Sequence, residues 1–227
     1  MRALVTGAAR GIGAAVAERL RADGLEVLTL DREPGCDLQL DLRTDELPAL
    51  DDVDVCVSNA AITDTIAPAH RMTVEQWSRD IEVNLTGAFR AVQACLAGMR
   101  ERRFGRIVAM SSAAVRTGLP GQVAYTASKA GVLGMVRTLA AENVAHGITA
   151  NAILPGLVAT EKVLSMPPSV LERARAALPS GRLVEPAEVA ALVAYLVSPQ
   201  AAQITGEEIA IAGGVGLGSL TLGSDRA

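Results

Sequence analysis

Three side chains in the middle of the sequence could carry out acid–base chemistry. Tyr125 and Lys129 are four residues apart, which places them on one face of a helix. A nearby ammonium favours the phenolate, so Lys129 is expected to lower the pKa of Tyr125 and to make it a general acid or base for a carbonyl–alcohol pair. Ser112 follows an apolar run and could hydrogen-bond the substrate oxygen. Taken singly, these residues are also typical of a solvated helix and a turn.

A glycine turn near the start of the sequence is suited to holding a phosphate. Residues 6–13 read Thr-Gly-Ala-Ala-Arg-Gly-Ile-Gly, between an apolar run at 3–5 and an amphipathic run at 14–22. This pattern predicts a strand, a turn and a helix whose N-terminus favours an anion. The spacing G-x-x-x-G-x-G differs from the common dinucleotide fingerprint. A turn that only connects strand to helix is the alternative.

Asp31 extends this prediction from a phosphate to a nucleotide. It follows the alternating, β-rich run at 25–30 and lies eighteen residues after Gly13. A carboxylate about 20 residues beyond a glycine turn, at the end of the next strand, is placed to accept hydrogen bonds from the ribose hydroxyls of an adenosine. An ordinary residue at the end of a strand is the alternative interpretation.

The elements that must position these residues alternate between strand and helix, which predicts one doubly wound parallel α/β sheet. Further strands are predicted at 37–40, 54–57, 107–110, 149–154 and 207–212, and helices at 73–99, 124–143, 169–177 and 186–196. Between Asp31 and Asp41 there is no room for a full crossover helix, so the second crossover is predicted to be shortened, with one helical turn at 47–50. Thr73 and Gln76 predict a capping box at the start of the helix at 73–99. Asn84 lies in the middle of that helix, where asparagine is unfavourable, so a specific structural role is expected for it.

Composition bounds the class of protein. A length of 227 residues fits one domain, residues 1–227, and the core must be built from Ala, Val, Leu and Ile because only 2% of residues are aromatic. The net charge of −4 gives no basic surface for nucleic acid. Neither a secretory signal nor a membrane span is recognisable, and the three cysteines form no zinc or disulfide pattern. We therefore expect a cytoplasmic protein without a metal.

Taken in order, the motifs resemble the short-chain dehydrogenase/reductase family, in its small, nicotinamide-dependent branch. The resemblance runs from Thr6 to Gly214. It is carried by the glycine turn, Asp31, Asp41-Leu42, Asn59-Ala60-Ala61, Asn84, Ser112, Tyr125-x-x-x-Lys129, and Pro155-Gly156 followed by Thr160. The chain departs from the family at Ala61, where a glycine is usual.

The resemblance implies a catalytic set of Asn84, Ser112, Tyr125 and Lys129. In that set Tyr125 is the acid or base and Ser112 polarises the carbonyl. Lys129 lowers the pKa of the tyrosine and binds the nicotinamide ribose. Asn84 kinks its helix, which frees a backbone carbonyl for a water that relays protons.

The resemblance also implies a row of cofactor-binding residues. The glycine turn would bind the pyrophosphate, Asp31 the ribose, and the residues after 155 the carboxamide. The implied set is Gly7, Arg10, Gly11, Ile12, Gly13, Asp31, Arg32, Asp41, Leu42, Asn59, Ala60, Ala61, Tyr125, Lys129, Pro155, Gly156, Val158 and Thr160. NAD is favoured over NADP because Asp31 would repel a 2′-phosphate, although Arg10 or Arg32 could pair with it.

The substrate is expected to be a small carbonyl compound or alcohol. Arg116, Leu119 and Gln122 are expected to line the pocket near Ser112, and segment 157–179 to close over it with outward charges that include Lys162. The chain most resembles bacterial 3-oxoacyl-acyl-carrier-protein reductases, which implies an acyl-carrier thioester. A dehydrogenase of a secondary or cyclic alcohol or polyol is the alternative, and a non-catalytic nucleotide-binding scaffold is a third possibility.

Two surfaces are expected to bind partners. Residues 99–107 resemble a basic stretch beside the active site of those reductases, where Arg103 would meet an acidic carrier protein; His146 replaces their second arginine. A solvated helix end is the alternative, since arginines are favoured near a helix C-terminus. Helices 73–99 and 124–143 resemble the family's subunit interface, which implies a homotetramer or homodimer.

Overall fold

Seven parallel strands form the sheet in the computed structural model, which describes residues 1–217. They are β1 (Arg2–Thr6), β2 (Glu26–Asp31), β3 (Leu38–Gln39), β4 (Val55–Ser58), β5 (Gly105–Met110), β6 (Ile148–Pro155) and β7 (Glu208–Ile211). Their order across the sheet is β3-β2-β1-β4-β5-β6-β7, and every neighbouring pair is parallel. The predicted doubly wound α/β class is confirmed.

Eight α-helices connect and flank these strands. They are α1 (Gly11–Ala22), α2 (Val74–Ile81), α3 (Gly87–Arg102), α4 (Ala114–Thr117), α5 (Val123–Asn143), α6 (Glu161–Leu164), α7 (Pro168–Ala176) and α8 (Pro186–Val197). Short 3-10 turns occur at Ala69–Arg71, Val144–His146 and Pro199–Ala201. No helix within residues 1–217 is long and apolar enough to span a bilayer.

The sheet is buried between two helical layers of small aliphatic side chains. One face packs against α1 and α8, through residues such as Val16 and Val193, and the other packs against α3 and α5, through residues such as Val92 and Val136. Alternate residues of one strand serve opposite layers: Val55 and Val57 face the first, Cys56 the second. This is the pleat of a strand that is covered on both faces.

The second crossover is short, as predicted, but it contains no helical turn at 47–50. The backbone there bonds to α3 instead of to itself: Leu50 N donates to the Ala94 carbonyl at 2.9 Å. The guanidinium of Arg90 donates to the carbonyls of Leu42, at 2.6 Å, and Asp45. These tertiary partners satisfy backbone groups that a local helix would otherwise pair.

The long helix predicted at 73–99 is interrupted. It begins as predicted, because Gln76 N donates to Thr73 Oγ1 and Thr73 N donates to Gln76 Oε1. A π-helical turn at Glu82–Thr86, with Asn84 at its centre, then separates α2 from α3. The irregularity predicted at Asn84 thus takes the form of a π-helical turn.

The parallel strands place the functional motifs at one edge of the sheet. The glycine turn, Asp31, Asn59, Ser112 and Gly156 all lie at or just beyond the carboxyl end of a strand, where α/β sheets bind ligands. The predicted basic stretch lies elsewhere.

Arg103 ends α3 and lies just before β5 starts, so it sits at the amino edge of the sheet. Ser112 lies beyond the other end of this strand, about 20 Å away for six residues in extended conformation. The expectation that residues 99–107 lie beside this chain's active site is therefore wrong. The Arg103 guanidinium donates to the Ala145 carbonyl at 2.7 Å, and that of Arg100 contacts His146 Nε2 at 2.8 Å.

Candidate active site

The glycine turn has the backbone that a phosphate cradle requires. Gly7 and Gly11 have φ angles of +66° and +61°, in the left-handed region that favours glycine. A Cβ on Gly13 would clash with the Gly7 carbonyl oxygen. Arg10 precedes α1 without capping its N–H groups through its side chain, while Ile12 packs into the core. The helix N-terminus can thus donate to an anion, which fits a dinucleotide pyrophosphate.

Asn59 fixes this turn to the end of β4. Its side-chain amide donates to the carbonyls of Thr6, at 2.9 Å, and Gly7, at 3.1 Å. In return, Thr6 Oγ1 accepts from the backbone N–H groups of Asn59 and Ala60, both at 3.0 Å. Asn59 and Ala60 therefore lie directly against the turn, with exposed Ala61 next along the chain.

Asp31 is held against the other side of the turn. Its Oδ2 accepts from Ala9 N and its Oδ1 from Glu33 N, both at 3.1 Å. Each carboxylate oxygen has a second lone pair, which leaves acceptors for ribose hydroxyls. The neighbouring Arg32 lies 3.5 Å from the Glu33 carboxylate. Further along, Asp41 accepts from the backbone of Arg43 and Leu42 is buried.

The segment after β6 forms the opposite wall of the cleft. Its predicted carboxamide-binding residues are Pro155, Gly156, Val158 and Thr160. A Cβ on Gly156 would lie 2.9 Å from Ala212 Cα, so only glycine allows this approach. A Cβ on Gly11 would lie 3.2 Å from Thr160 Cγ2, which brings this wall next to the glycine turn.

Ser112, Tyr125 and Lys129 meet where β5 ends and α5 begins. The Lys129 side chain is buried, and its Nζ donates to the carbonyl of Met110, the last residue of β5, at 2.7 Å. Tyr125 lies one turn before Lys129, in the first turn of α5. Ser112 Oγ accepts from Ala114 N at 3.1 Å, which orients the hydroxyl.

Burial sets the pKa of both titratable groups. It raises the pKa of Tyr125, and the hydrogen bond with Ser112 offsets part of that rise. Burial lowers the pKa of Lys129 from its usual 10.5 to about 8. Lys129 is not among the groups that shift the pKa of Tyr125 in this structure, because its ammonium is directed at the Met110 carbonyl. Tyr125 therefore keeps its proton at neutral pH.

Asn84 ties the helical kink to the loop above the site. It is fully buried, and its amide pairs with both backbone groups of Ile62: Oδ1 accepts from the N–H at 2.7 Å and Nδ2 donates to the carbonyl at 3.0 Å. A π-helical turn also leaves one carbonyl without its usual helical partner. Asn84 thus holds the loop that follows Ala61, by its bonds to the backbone of Ile62.

Of the predicted substrate residues, the structure brings Gln122 to the catalytic set. It immediately precedes α5, and its Nε2 donates to the Thr63 carbonyl at 3.1 Å. Leu119 lies nearby in sequence and is exposed. Arg116 instead lines a separate cavity of about 340 Å³, with residues that include Ser180 and Gly213 and none of the catalytic set. Its predicted place in the substrate pocket stays a prediction.

Sequence reasoning missed two residues of the cleft, Thr63 and Lys162. Lys162 Nζ donates to Thr63 Oγ1 at 2.7 Å, which joins α6 to the loop after β4. Lys162 is exposed, as predicted for an outward charge, but its contact with Thr63 was not predicted. These residues are 99 positions apart, and nothing local in the sequence marks the contact.

Comparison with known proteins identifies the class that this fold and site define. The family model described as enoyl-(acyl carrier protein) reductase matches residues 39–216. Acetoacetyl-CoA reductase from Rhizobium meliloti is 43% identical, over 93% of this chain and 97% of its own length. The 3-oxoacyl-[acyl-carrier-protein] reductase FabG from Vibrio cholerae is 39% identical, over 94% of this chain and 96% of its own length.

Solved structures agree with these relatives. An actinorhodin polyketide ketoreductase variant with NADPH superimposes with a TM-score of 0.88, at 34% identity, over 95% of this chain and 97% of that one. A 3-oxoacyl-[acyl-carrier protein] reductase from Brucella melitensis superimposes with a TM-score of 0.85. It is 31% identical, over 96% of this chain and 91% of that one. The chain belongs to the short-chain dehydrogenase/reductase family. It is an oxidoreductase that acts on carbonyl or alcohol groups with a nicotinamide cofactor.

The buried Lys129 predicts a rise in stability with pH. Lys129 loses its proton near pH 8 when folded, but near 10.4 when unfolded, so the unfolded chain binds more protons between those values. Its contribution to the free energy of unfolding therefore increases across that window, by at most about 1.4 kcal/mol per pH unit. The free energy of unfolding should be measured in urea for wild type and Lys129→Met from about pH 7 to 10. Only wild type should show this increase with pH.

Lys162→Met is the matched control, because Lys162 is exposed and is the only other lysine. It should keep the wild-type dependence on pH. The same pH dependence in wild type and Lys129→Met would contradict the assignment.

Proposed function

We propose that the protein reduces the 3-oxo group of an acyl thioester to a hydroxyl group. The observation that carries this proposal is the meeting of Ser112, Tyr125 and Lys129 at the carboxyl edge of the sheet, the edge that also carries the glycine turn. The thioester class is supported by relatives named acetoacetyl-CoA reductase and 3-oxoacyl-[acyl-carrier-protein] reductase, which match more than nine-tenths of this chain.

In this proposal each residue of the set has a distinct task. When bound, the nicotinamide supplies the hydride. Ser112 Oγ donates a hydrogen bond to the carbonyl oxygen, and Tyr125 Oη transfers its proton to that oxygen. Tyr125 is protonated at neutral pH, so its phenol is available as the proton donor. Lys129 would contact the nicotinamide ribose, and the π-helical turn at Asn84 would hold a water that resupplies protons.

We propose NAD as the cofactor, with NADP as the weaker candidate. Support comes from Asp31, whose carboxylate would repel a 2′-phosphate. Arg32, which could offset that charge, lies beside Glu33. The ketoreductase with NADPH is the comparison that favours NADP. The glycine turn, the Asn59 loop and the residues after β6 would hold the dinucleotide as the sequence predicts.

A dehydrogenase of a secondary or cyclic alcohol or a polyol is the second candidate. The same carboxylate of Asp31 favours it, because an enzyme that uses NAD is suited to oxidising an alcohol. A panel of β-ketoacyl thioesters, ketones and alcohols, assayed with both cofactors, separates the two functions.

Removal of the Tyr125 hydroxyl should abolish turnover without loss of cofactor binding. Tyr125→Phe keeps the ring, and loss of general acid catalysis is expected to lower kcat about 10²- to 10⁴-fold. Steady-state assays with acetoacetyl-CoA measure the first effect, and fluorescence titration with NADH measures the second. Undiminished activity in Tyr125→Phe would refute the mechanism. The matched control is Tyr195→Phe, because Tyr195 is an exposed tyrosine on α8.

The cofactor assignment predicts a higher kcat/KM with NADH than with NADPH. Asp31→Ser removes the like charge and should narrow or reverse that preference while the glycine turn stays intact. Kinetics of both proteins with both cofactors test this. Much faster turnover of NADPH by wild type would show that the assignment is wrong.

Exposed apolar side chains on α2, α3 and α5 predict assembly into a homodimer or homotetramer. Trp77 and Phe89 are 39% and 44% exposed, and Val74 on α2 and Val123 on α5 are also exposed. Such side chains become buried when two copies pack together. Light scattering at micromolar concentration should give the mass of an oligomer, and a monomer would contradict the proposal.

A further inference from the structure

One hydrogen bond crosses the cleft between its two walls. Lys162 Nζ donates to Thr63 Oγ1 at 2.7 Å. Lys162 lies two residues after Thr160, which adjoins Gly11 of the glycine turn. Thr63 belongs to the other wall, because its carbonyl accepts from Gln122, just before the helix that carries Tyr125. The Lys162 ammonium therefore connects the segment beside the glycine turn to the loop that bonds to the start of α5.

The charge of Lys162 is not neutralised by the protein around it. Within residues 1–217, no carboxylate lies within the 4.0 Å that defines an ion pair with Lys162, and its bond to Thr63 is to a neutral hydroxyl. Asp64 is the adjacent carboxylate in the loop, and it is paired with Arg79 Nη2 at 3.3 Å. An ammonium has three donors, so at least one remains for a ligand beside the bond to Thr63.

We propose that Lys162 binds a phosphate group of the ligand that occupies this cleft, with Thr63 as the residue that positions its ammonium. Phosphate is the chemistry that fits a cation at the entrance of a cleft whose floor already carries a phosphate cradle. Two sources could supply it. One is the diphosphate of the dinucleotide, and the other, which rests on the proposed function, is a phosphate of a coenzyme A or phosphopantetheine thioester.

Variants at Lys162 test the proposal with two independent readouts. Lys162→Met removes the charge and Lys162→Arg keeps it; Arg173→Met, which removes an exposed charge on α7, is the matched control. The Kd of NADH is measured by fluorescence titration. The KM is measured for acetoacetyl-CoA and for the phosphate-free S-acetoacetyl-N-acetylcysteamine.

Loss of one charge-assisted hydrogen bond should raise one of these constants about tenfold in Lys162→Met, and Lys162→Arg should restore most of it. A higher Kd for NADH in Lys162→Met assigns the phosphate to the dinucleotide. A higher KM for acetoacetyl-CoA, with unchanged KM for the phosphate-free thioester, assigns it to the substrate. Unchanged values of all three constants in Lys162→Met would overturn the proposal, as would equal shifts in Arg173→Met.

The two proposals fail in different ways. If wild type reduced neither thioester, the proposed substrate class would be wrong. The NADH titration alone would then decide the role of Lys162. A higher Kd in Lys162→Met would support phosphate binding by Lys162, and an unchanged Kd would overturn it. Thr63→Val gives the check on positioning. It should raise the same constant as Lys162→Met, by a smaller factor, because the ammonium keeps its charge but loses its anchor.

Discussion

The active site depends on the ammonium of Lys129, which is buried against the carbonyl of Met110. A lysine is costly to bury, and the lowered pKa of Lys129 is the expression of that cost. What the contact achieves is geometric: it joins the end of β5 to the first turns of α5, and Ser111 Oγ reinforces it by donating to the Lys129 carbonyl at 2.8 Å. Ser112 and Tyr125 thereby face each other across a fixed junction.

The rest of the cleft is organised by similar bonds between strand ends. Asn59 joins the glycine turn to β4, and Asn84 joins the helical kink to the loop that follows. The Asn84 amide both donates to and accepts from the backbone of Ile62, whereas the Asn59 amide donates to two carbonyls and Thr6 Oγ1 accepts in return. The shortened crossover is held in the same manner by the Arg90 guanidinium.

The residues that could be predicted from the sequence are those whose function follows from local spacing. The glycine turn, Asp31 and the Tyr125–Lys129 pair each combine a backbone or helical period with the end of a predicted element, and the structure brings them to one edge. The predictions for 47–50 and Arg103 failed because tertiary contacts decide those positions: a loop bonds to α3, and a basic helix end lies at the opposite edge. The contact between Lys162 and Thr63 has no local signal at all.

The scarcity of lysine in this chain has a practical consequence. Its basic side chains are almost all arginines, and the two lysines are Lys129, which is buried, and Lys162, which bridges the cleft. A reagent that acylates amines would thus find a single accessible side chain, in addition to the N-terminus. Amine-directed dyes, cross-linkers and immobilisation resins that attach to a side chain would therefore attach beside Thr63 of the candidate site, so labelling of this protein is better directed elsewhere.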